Sequence, residues 1–355
     1  MIGQNYDYLK KRYREFWAKE NHDRPLISVF APKNGAKPYA GTLPDTLRDR
    51  WLNFDFVVKR ELHTMENTYY GGEAFPALNP NFGPDFFSAV LCDLDIEFGS
   101  ETSWAIHKNS AWGDFPVLRF DRNNRWWRLL EQVTDYAVQE CKDRYLIGLT
   151  DIHSGMDALS GIKGAEALCI DLYDDPIMVQ KKLQECRIAY RQLMAKCFEK
   201  IGSVQEGFTN WSQLWEPDRR WYITSCDFSC LVSSVDFDEF ILPTLEDEWE
   251  FLDSNFYHLD GIGALRHLDR LCSCNKLQGI QWVYGAGQPT AYAWRDILTK
   301  IQNSGKCIQV QIVPEDIAAV SEFLAPEGVH LFCYAQSEYD AREIVKMLDN
   351  AYRKK

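Results

Sequence analysis

The chain of 355 residues is 46% hydrophobic and 26% charged, and its formal net charge is −13. An acidic chain without a basic patch lacks the Lys and Arg side chains that bind phosphates, which excludes a nucleic-acid surface. No apolar run reaches the length of about 18 residues that a membrane span needs. We therefore expect neither nucleic acid nor membrane as a partner.

The cellular location is predicted from the N-terminus and the cysteines. The first residues lack the basic and apolar segments of a signal peptide. The 11 cysteines are scattered and odd in number, which fits reduced thiols better than a disulfide framework. These features predict a soluble cytoplasmic protein.

The first 253 residues are predicted to contain helices, a few strands and one irregular insertion. Residues 1–25 form an N-terminal helical extension in this prediction, because Tyr8, Tyr13, Phe16 and Trp17 recur at helical spacing. The further predictions, in chain order, are a strand at 24–32, helix at 45–68, an irregular insertion rich in Gly and Pro at 69–125, helix at 126–141, a strand at 145–150, helices at 156–172 and 176–201, extended segments at 208–215 and 220–225, and helix at 236–253.

The last hundred residues show a regular pattern of strand and helix. Predicted strands begin at residues 255, 279, 307 and 329, and each is followed by a helical segment. This is the repeat of a parallel α/β fold, which is either a doubly wound sheet or a barrel. The Gly-rich turn of a doubly wound nucleotide site is missing, since Gly285-Ala-Gly-Gln-Pro289 lacks its third glycine. We predict one TIM (β/α)8 barrel domain over 1–355, with the 69–125 insertion folded over the barrel mouth.

Polar residues at the ends of the predicted strands are the candidate metal ligands. His258 and Asp260 end one strand and Cys333 ends the last, so a barrel would bring them to the same mouth. Three such ligands with one open position match the plan of a catalytic zinc site. The alternative is that the histidine and aspartate bond to backbone and the cysteine belongs to the core.

Asp151 and His153 follow another strand end and are candidates for acid–base catalysis, although Asp151 also suits a turn-capping role. Tyr284 is a third catalytic candidate at a strand end. The spacing from His153 to Gly155 does not fit the cobalamin-binding Asp-x-His-x-x-Gly motif. We therefore expect no corrinoid ligated by this chain.

The substrate-binding candidates are mostly aromatic. The chain has 12 Trp, 17 Tyr and 20 Phe, and a surplus of rings can line a pocket for a flat ligand, although core packing is their default role. The candidates are Trp211, Trp215, Tyr222, Asn79 and Gln311.

Several segments resemble the uroporphyrinogen decarboxylase superfamily, and the resemblance covers most of the chain, being weakest at 90–125. The segments are Tyr257-His-Leu-Asp-Gly-Ile-Gly-Ala-Leu-Arg-His-Leu-Asp269, Ile280-Gln-Trp-Val-Tyr-Gly-Ala-Gly-Gln-Pro289, Cys226-Asp-Phe-Ser-Cys230 with Phe240-Ile-Leu-Pro243, and Asn81-Phe-Gly-Pro84. The resemblance implies a TIM barrel and either a porphyrinogen decarboxylase or a corrinoid-linked methyltransferase.

The methyltransferase branch is the closer of the two. Decarboxylases of the superfamily carry an N-terminal Arg-Gln-Ala-Gly-Arg segment, whereas the first strand here ends Val29-Phe-Ala-Pro32. The methyltransferases hold zinc with His-x-Cys and a later Cys. Here His258 is kept, Asp260 stands in place of the first cysteine, and Cys333 suits the later ligand. The carboxylate makes the site harder, which favours oxygen over thiol substrates.

The sequence therefore predicts a methyltransferase that moves a methyl group from a small O- or N-methylated donor to the corrinoid of a partner protein, with zinc activating the donor. A methoxylated aromatic is one candidate donor, and a homodimer is an open possibility. The alternative is a metal-free carboxy-lyase, for which Arg219, Arg220 and Arg266 are the suggestive cations. A non-catalytic binding protein on the same fold is a third reading.

Overall fold

The computed structural model describes residues 5–108, 110–142 and 144–353. It shows a mixed α/β protein built on one large, mainly parallel sheet. The strands are β1 Leu26–Pro32, β2 Thr68–Gly72, β3 Ala77–Leu78, β4 Ile96–Phe98, β5 Ser103–Ala105, β6 Leu146–Ile147, β7 Phe208–Thr209, β8 Trp215–Glu216, β9 Trp221–Ser225, β10 Ser254–Asp260, β11 Gly279–Val283, β12 Cys307–Gln311 and β13 Val329–Tyr334.

The helices surround this sheet. They are α1 Tyr6–Ala18, α2 Leu47–Leu52, α3 Phe54–Asn67, α4 Phe86–Cys92, α5 Arg125–Cys141, α6 Gly155–Lys163, α7 Ala165–Asp174, α8 Pro176–Gly202, α9 Ser234–Asp236, α10 Leu242–Phe251, α11 Leu268–Ser273, α12 Arg295–Asn303, α13 Asp316–Phe323 and α14 Glu338–Arg353. Among the described residues, none of these helices is long and apolar enough to cross a membrane.

The large sheet has the strand order β2-β1-β13-β12-β11-β10-β9. Only the β1–β2 pair is antiparallel; the other neighbours run parallel. The short strands β3 and β6 pair with each other, and a single parallel bridge joins Leu149 to Asn210. In the described residues no ladder connects these short strands to the large sheet. The parallel α/β architecture is thus confirmed, whereas closure into a barrel stays a prediction.

The predicted elements of the C-terminal half agree closely with the structure. The four strands there are β10 to β13, and the helix predicted from residue 176 is α8, capped by the Asp175 side chain on the Met178 N–H. The segment 69–125 is more ordered than its composition suggests. It contains most of β2, which joins the large sheet, as well as β3, β4, α4 and β5.

The two faces of the large sheet differ in chemistry. Leu259, Trp282, Val310 and Leu331 are paired in register across β10 to β13, and all four belong to the buried apolar core against the helices. Because side chains alternate along a strand, the residues between them point to the opposite face. That inner face carries a row of polar residues, namely His258, Gln281, Gln309 and His330.

Helix α1 covers the amino end of the sheet. Trp17 on α1 packs against Trp221 and Phe256, with ring centroids 5.5 and 5.4 Å away. These rings belong to a second buried core cluster that includes the first residues of β1, β9 and β12. The amino end is therefore filled with aromatic side chains, and polar groups of the inner face reach the surface at the carboxyl end.

Candidate active site

His258 and Asp260 lie at the carboxyl end of β10 and point to the same face because they are two residues apart. The His258 Nε2 atom is 3.8 Å from Asp260 Oδ2. Trp211 meets the imidazole edge-on, with ring centroids 5.0 Å apart. His258 is half-buried and Asp260 is exposed. The structure therefore brings two of the three predicted metal ligands together, beside one predicted substrate-binding residue.

Asp227 is the third acidic group at this place, although the sequence did not single it out. It follows β9, the strand next to β10, and its carboxylate offers an oxygen within 4.8 Å of ligand atoms of both His258 and Asp260. Loss of hydration and the nearby Asp157 carboxylate raise the pKa of Asp227. A carboxylate held under such repulsion is stabilised by any cation that binds beside it.

His153 forms a second polar group that shares Asp227. Its Nδ1 atom lies 3.2 Å from Asp157 Oδ2, 3.9 Å from Asp227 Oδ2 and 3.1 Å from the Ser225 hydroxyl. Its Nε2 atom lies 3.3 Å from Asp151 Oδ1. The ligand atoms of His153, Asp157 and Asp227 are close enough together to hold a metal ion as well. The predicted pair of Asp151 and His153 is thus part of the same polar centre as His258.

The protonation of His153 is set by these carboxylates. Burial disfavours the charged ring, but Asp151 and Asp157 outweigh burial and raise the pKa of His153 well above its ordinary value. Asp157 is itself buried and accepts the backbone N–H groups of Asp227 and Phe228 at 2.9 and 2.8 Å. The two carboxylates therefore favour the protonated form of His153, and Asp157 also positions the turn that carries Asp227.

A further carboxyl group, that of Glu248, lies next to the loop that carries His153. Glu248 on α10 is buried and accepts a hydrogen bond from the hydroxyl of Ser154, the residue after His153. Burial raises the pKa of Glu248 to about 8. At neutral pH this side chain is mainly in its protonated, uncharged form.

Cys333 does not join His258 and Asp260, which corrects the predicted ligand set. It is paired in register with Val29 and shares the helix-facing side of the sheet with Leu331, whereas His258 lies on the inner side. Its thiol is buried, 3.7 Å from the Tyr334 carbonyl oxygen, and burial raises its pKa to about 11. Alternation along β13 directs the side chain into the core, and the acidic group that lies near His258 and Asp260 is Asp227 instead.

Trp215 and Tyr222 are also placed away from the inner face. Trp215 is fully buried in the core cluster at the amino end, where its carbonyl oxygen accepts the Trp17 indole N–H. Tyr222 is buried among the helix-facing residues; its hydroxyl donates to the Thr150 carbonyl at 2.7 Å and accepts from the Ile152 N–H at 2.8 Å. Neither ring lines the polar centre, but Tyr222 holds the loop on which His153 lies.

Asn79 belongs to a set of buried polar atoms that lack a hydrogen-bond partner among the described residues. Its Oδ1 atom packs over Gly148, where a Cβ would come within 1.7 Å of it, and the same Cβ position is 3.5 Å from the Asn210 Cα. The unpartnered atoms of this region are Asn79 Oδ1, Thr150 Oγ1, Asn210 Nδ2, Trp211 Nε1 and Ser212 Oγ. Buried polar atoms are nearly always paired, so this set is suited to a polar ligand.

A cavity of about 410 Å³ opens beside Asn79. Its wall includes Asn81, Trp51 and two arginines, Arg50 and Arg60. Two glutamates in the wall balance the two arginines. The volume lies in the range of small-molecule sites, and the mixture of aromatic, amide and charged groups suits a small polar compound.

Tyr284 and Gln311 meet each other rather than the histidines. The Tyr284 hydroxyl is 3.5 Å from the Gln311 carbonyl oxygen, and Gln311 is exposed at the end of β12. Burial raises the pKa of Tyr284, so it is a phenol at neutral pH. No contact among the described residues joins either side chain to His153 or His258, and their catalytic and binding roles stay predictions.

The cations considered for a lyase are engaged elsewhere. Arg219 pairs with Glu216 at 3.0 Å and Arg220 pairs with Asp253 at 3.1 Å, both just before the amino ends of β9 and β10. Arg266 donates to the carbonyl oxygens of Gly263 and Val232. Two of the three arginines are thus at the end of the sheet opposite to His258.

Asp227, Asp157, Ser225 and Gln281 were missed by sequence reasoning. Asp227 had a signal, because it follows the predicted strand at 220–225 and lies in the Cys226–Cys230 segment. The other three become visible only through the strand register and the fold of the His153 loop.

Comparisons with known proteins show the fold but no family. No family model matches the chain, and no curated protein matches its sequence. The solved structure of a methyltransferase from Methanosarcina mazei is similar with a TM-score of 0.61 at 13% identity, covering 98% of both chains. A glycoside hydrolase family 5 enzyme from Prevotella bryantii B14 covers 94% of this chain and 98% of its own at 9% identity, but its TM-score of 0.36 carries no argument. The chain therefore shares the fold of the Methanosarcina protein.

Proposed function

We propose that the protein is a corrinoid-dependent methyltransferase on a TIM barrel that the short strands β3, β6 and β7 complete. The observation that carries the proposal is the group of Asp227, His258 and Asp260, whose ligand atoms lie within 4.8 Å of one another. It lies at the carboxyl end of a sheet whose fold is shared with a methyltransferase. In barrels of this kind the chemistry lies at that end.

The donor set fits a zinc ion. One imidazole and two carboxylates leave a coordination position for substrate, as in catalytic zinc sites. A bound zinc would supply Lewis-acid polarisation of the oxygen or nitrogen that carries the methyl group. The proposed holders are Asp227, His258 and Asp260, and their hard oxygen atoms favour ethers and amines over thiols.

The proton chemistry is assigned to His153. When the methyl group leaves, the substrate heteroatom keeps the electron pair of the broken bond and gains a proton. His153 is held protonated by Asp151 and Asp157 and lies beside Asp227, so it is placed to supply that proton. The methyl group passes to the reduced corrinoid of a partner protein, since this chain has no corrinoid-ligating motif.

The substrate is proposed to lie between Trp211 and the unpartnered polar atoms near Asn79. A methoxylated aromatic compound suits this region, because Trp211 offers a ring and the cavity beside Asn79 is lined by aromatic, amide and charged groups. The ring would stack or pack edge-on, and the polar substituents would satisfy Asn79, Thr150 and Asn210.

Methyl transfer to free reduced cobalamin tests this proposal. Zinc-loaded protein is mixed with cob(I)alamin and a panel of methoxybenzoates and methylamines, and methylcobalamin is followed by absorbance. We expect product from at least one donor, and a loss of at least about 100-fold in rate in His153→Gln. Carbon dioxide release from aromatic acids without metal, with no methylcobalamin, would support a lyase instead and overturn the proposal.

A further inference from the structure

A continuous row of hydrogen bonds crosses the inner face of the sheet from β1 to β10. Its members are Ser28, His330, Gln309, Gln281 and His258, and we call them the polar row. The distances are 2.9 Å from Ser28 Oγ to His330 Nε2, 3.0 Å from His330 Nδ1 to Gln309 Nε2, and 2.7 Å from Gln309 Oε1 to Gln281 Nε2. Gln281 Oε1 then meets His258 Nδ1. Apart from the half-buried His258, these side chains are buried.

The orientation of the two amide groups in the polar row is fixed by one group that can only accept a hydrogen bond. The Ser212 backbone carbonyl lies 2.8 Å from Gln309 Nε2, so the amide of Gln309 must point its NH2 group there. The carbonyl oxygen of Gln309 then faces Gln281, which must present its own NH2 group. This orients the carbonyl oxygen of Gln281 toward His258.

The two histidines therefore carry their hydrogen on different ring nitrogens. His258 Nδ1 faces a carbonyl oxygen and has to carry a hydrogen. His330 Nδ1 faces the second N–H of the Gln309 amide and has to be bare, so its hydrogen lies on Nε2 and is donated to Ser28. Burial lowers the pKa of His330 to about 3, which agrees with a ring that accepts a hydrogen bond and stays neutral.

We infer that the Ser212 carbonyl, acting through Gln309 and Gln281, locks the neutral His258 ring as its Nδ1–H tautomer and keeps Nε2 free at the active centre. Gln309 and Gln281 are positioning residues in this scheme, because neither contacts the ligand atoms of Asp227 or Asp260. Free histidine prefers the other tautomer, so the lock is a property of the folded chain.

The Nδ1–H tautomer of His258 places two acceptor atoms side by side in the candidate active site. The Nε2 atom, which carries no hydrogen in this tautomer, lies 3.8 Å from the Asp260 carboxylate, too far for a hydrogen bond. Both the nitrogen and the carboxylate oxygen are acceptors with a free lone pair. Two acceptors in this arrangement are stabilised by a cation between them. The inference rests on the proposed function only for what that cation is, a catalytic zinc ion; the tautomer itself is a property of the metal-free protein.

The tautomer is measured on metal-free protein labelled with 15N-histidine. Long-range 1H–15N spectra above pH 8 distinguish the two neutral tautomers and the doubly protonated ring, and His258→Asn and His330→Asn assign the signals. We expect His258 as Nδ1–H and His330 as Nε2–H. A proton on Nε2 of His258, in either the other tautomer or the charged ring, would overturn the inference.

Variants then test the cause. Gln281→Leu removes the acceptor, and we expect His258 to shift to the Nε2–H form and zinc affinity to fall about 10–100-fold, as for other outer-shell partners. Gln281→Glu keeps an acceptor oxygen facing His258 Nδ1, so the hydrogen should stay on Nδ1 as in the wild type. Gln288→Leu is the matched control, because Gln288 is exposed and outside the polar row.

An unchanged tautomer in Gln281→Leu would show that the row does not set it and would also overturn the inference. A wild-type Nδ1–H signal in a protein that binds no zinc would leave the inference standing and contradict the proposed function. The two failures are therefore distinguishable.

Discussion

The two ends of the sheet hold buried charge in different ways. At the amino end, both oxygens of Glu73 bond to Arg24 at 2.8 and 2.7 Å, and the Ile27 N–H and Tyr8 hydroxyl complete the set. Burial disfavours the charged carboxylate, but Arg24 outweighs burial and lowers the pKa of Glu73. Every strong partner is supplied by the protein itself.

At the carboxyl end, the described carboxylates are paired with histidines and not with an arginine. In the polar centre, the ion pairs of the described residues join carboxylates to histidines, with Asp151, Asp157 and Asp227 around His153 and Asp260 beside His258. The pKa of Asp227 is raised, and several nearby polar atoms have no partner among the described residues. The amino end therefore pairs its buried charge within the protein, whereas the carboxyl end is suited to the cation and the substrate that we propose.

The largest effect on stability is expected at the amino end. Glu73→Gln removes the buried counter-charge that Arg24 bonds with both of its terminal nitrogens and leaves it, among the described residues, only the ion pair with Asp349 at 2.7 Å. We expect the free energy of unfolding, measured in urea at pH 7, to fall by about 2 kcal/mol. The matched control is Asp218→Asn, because Asp218 pairs with Arg14 where both side chains are about half exposed. That change should cost less than about 1 kcal/mol. Equal losses in the two variants would contradict the role given to Glu73.

The pH dependence of stability should have opposite signs at the two ends. A carboxylate with a lowered pKa, such as Glu73, stabilises the fold above its unfolded pKa of about 4.3, and this contribution is lost as pH falls through its lower folded value. Glu248, whose pKa is raised to about 8, contributes fully below about 4.3 and loses its contribution as pH rises toward and through 8.

Glu248→Gln checks this sign. The amide keeps an acceptor for Ser154 but cannot ionise, so the variant should gain thermal stability over wild type at pH 8 and little at pH 5. Glu73→Gln should instead lose more at pH 7 than at pH 3. Melting temperatures across this pH range decide the matter, and a Glu248→Gln gain that is equal at pH 5 and pH 8 would refute the raised pKa.

The smallest effect concerns an unpartnered hydroxyl at the carboxyl end. Thr150→Val is nearly isosteric and removes a buried Oγ1 atom without a partner, so we expect stability to stay level or rise by about 1 kcal/mol. Thr134→Val is the control, because its buried hydroxyl donates to the Leu130 carbonyl at 2.7 Å, and it should lose about 1 kcal/mol. A stability loss in Thr150→Val equal to that control would show that Thr150 serves the fold.

Thr150→Val also tests whether the Thr150 hydroxyl contacts the substrate. If Thr150 contacts the substrate, Thr150→Val should raise KM about tenfold, the effect of one lost hydrogen bond, while Thr134→Val leaves KM unchanged.

The sequence predicted the parallel α/β repeat because its C-terminal strands are short segments with alternate apolar residues, regularly spaced and each followed by a helical segment. It predicted β6 and β7 inside longer segments, at 145–150 and 208–215, but it did not predict β3, since a strand of two residues carries no periodic signal and depends on its neighbours. The place of β2 in the large sheet was missed for a related reason, because Thr68–Gly72 is rich in glycine and tyrosine and reads as a loop.

The candidate site was predictable where a strand end alone decides the position, as for His258, Asp260 and the Asp151–His153 loop. Cys333 was misplaced because its face depends on the register of β13, in which Val329, Leu331 and Cys333 point to the helices. Trp215 was misplaced because the contacts that bury it come from α1, about two hundred residues earlier in the chain. The polar row needs the register of five strands and has no local signature.

The central claim is that Asp227, and not Cys333, completes the metal site with His258 and Asp260. Calorimetric titration of zinc into wild type, Asp227→Asn and Cys333→Ser tests it most directly. We expect about one zinc per chain in wild type, an unchanged affinity in Cys333→Ser, and in Asp227→Asn a loss of at least the roughly 100-fold that an outer-shell partner can cost. Zinc binding that survives in Asp227→Asn but is lost in Cys333→Ser, or is absent from wild type, would contradict the claim.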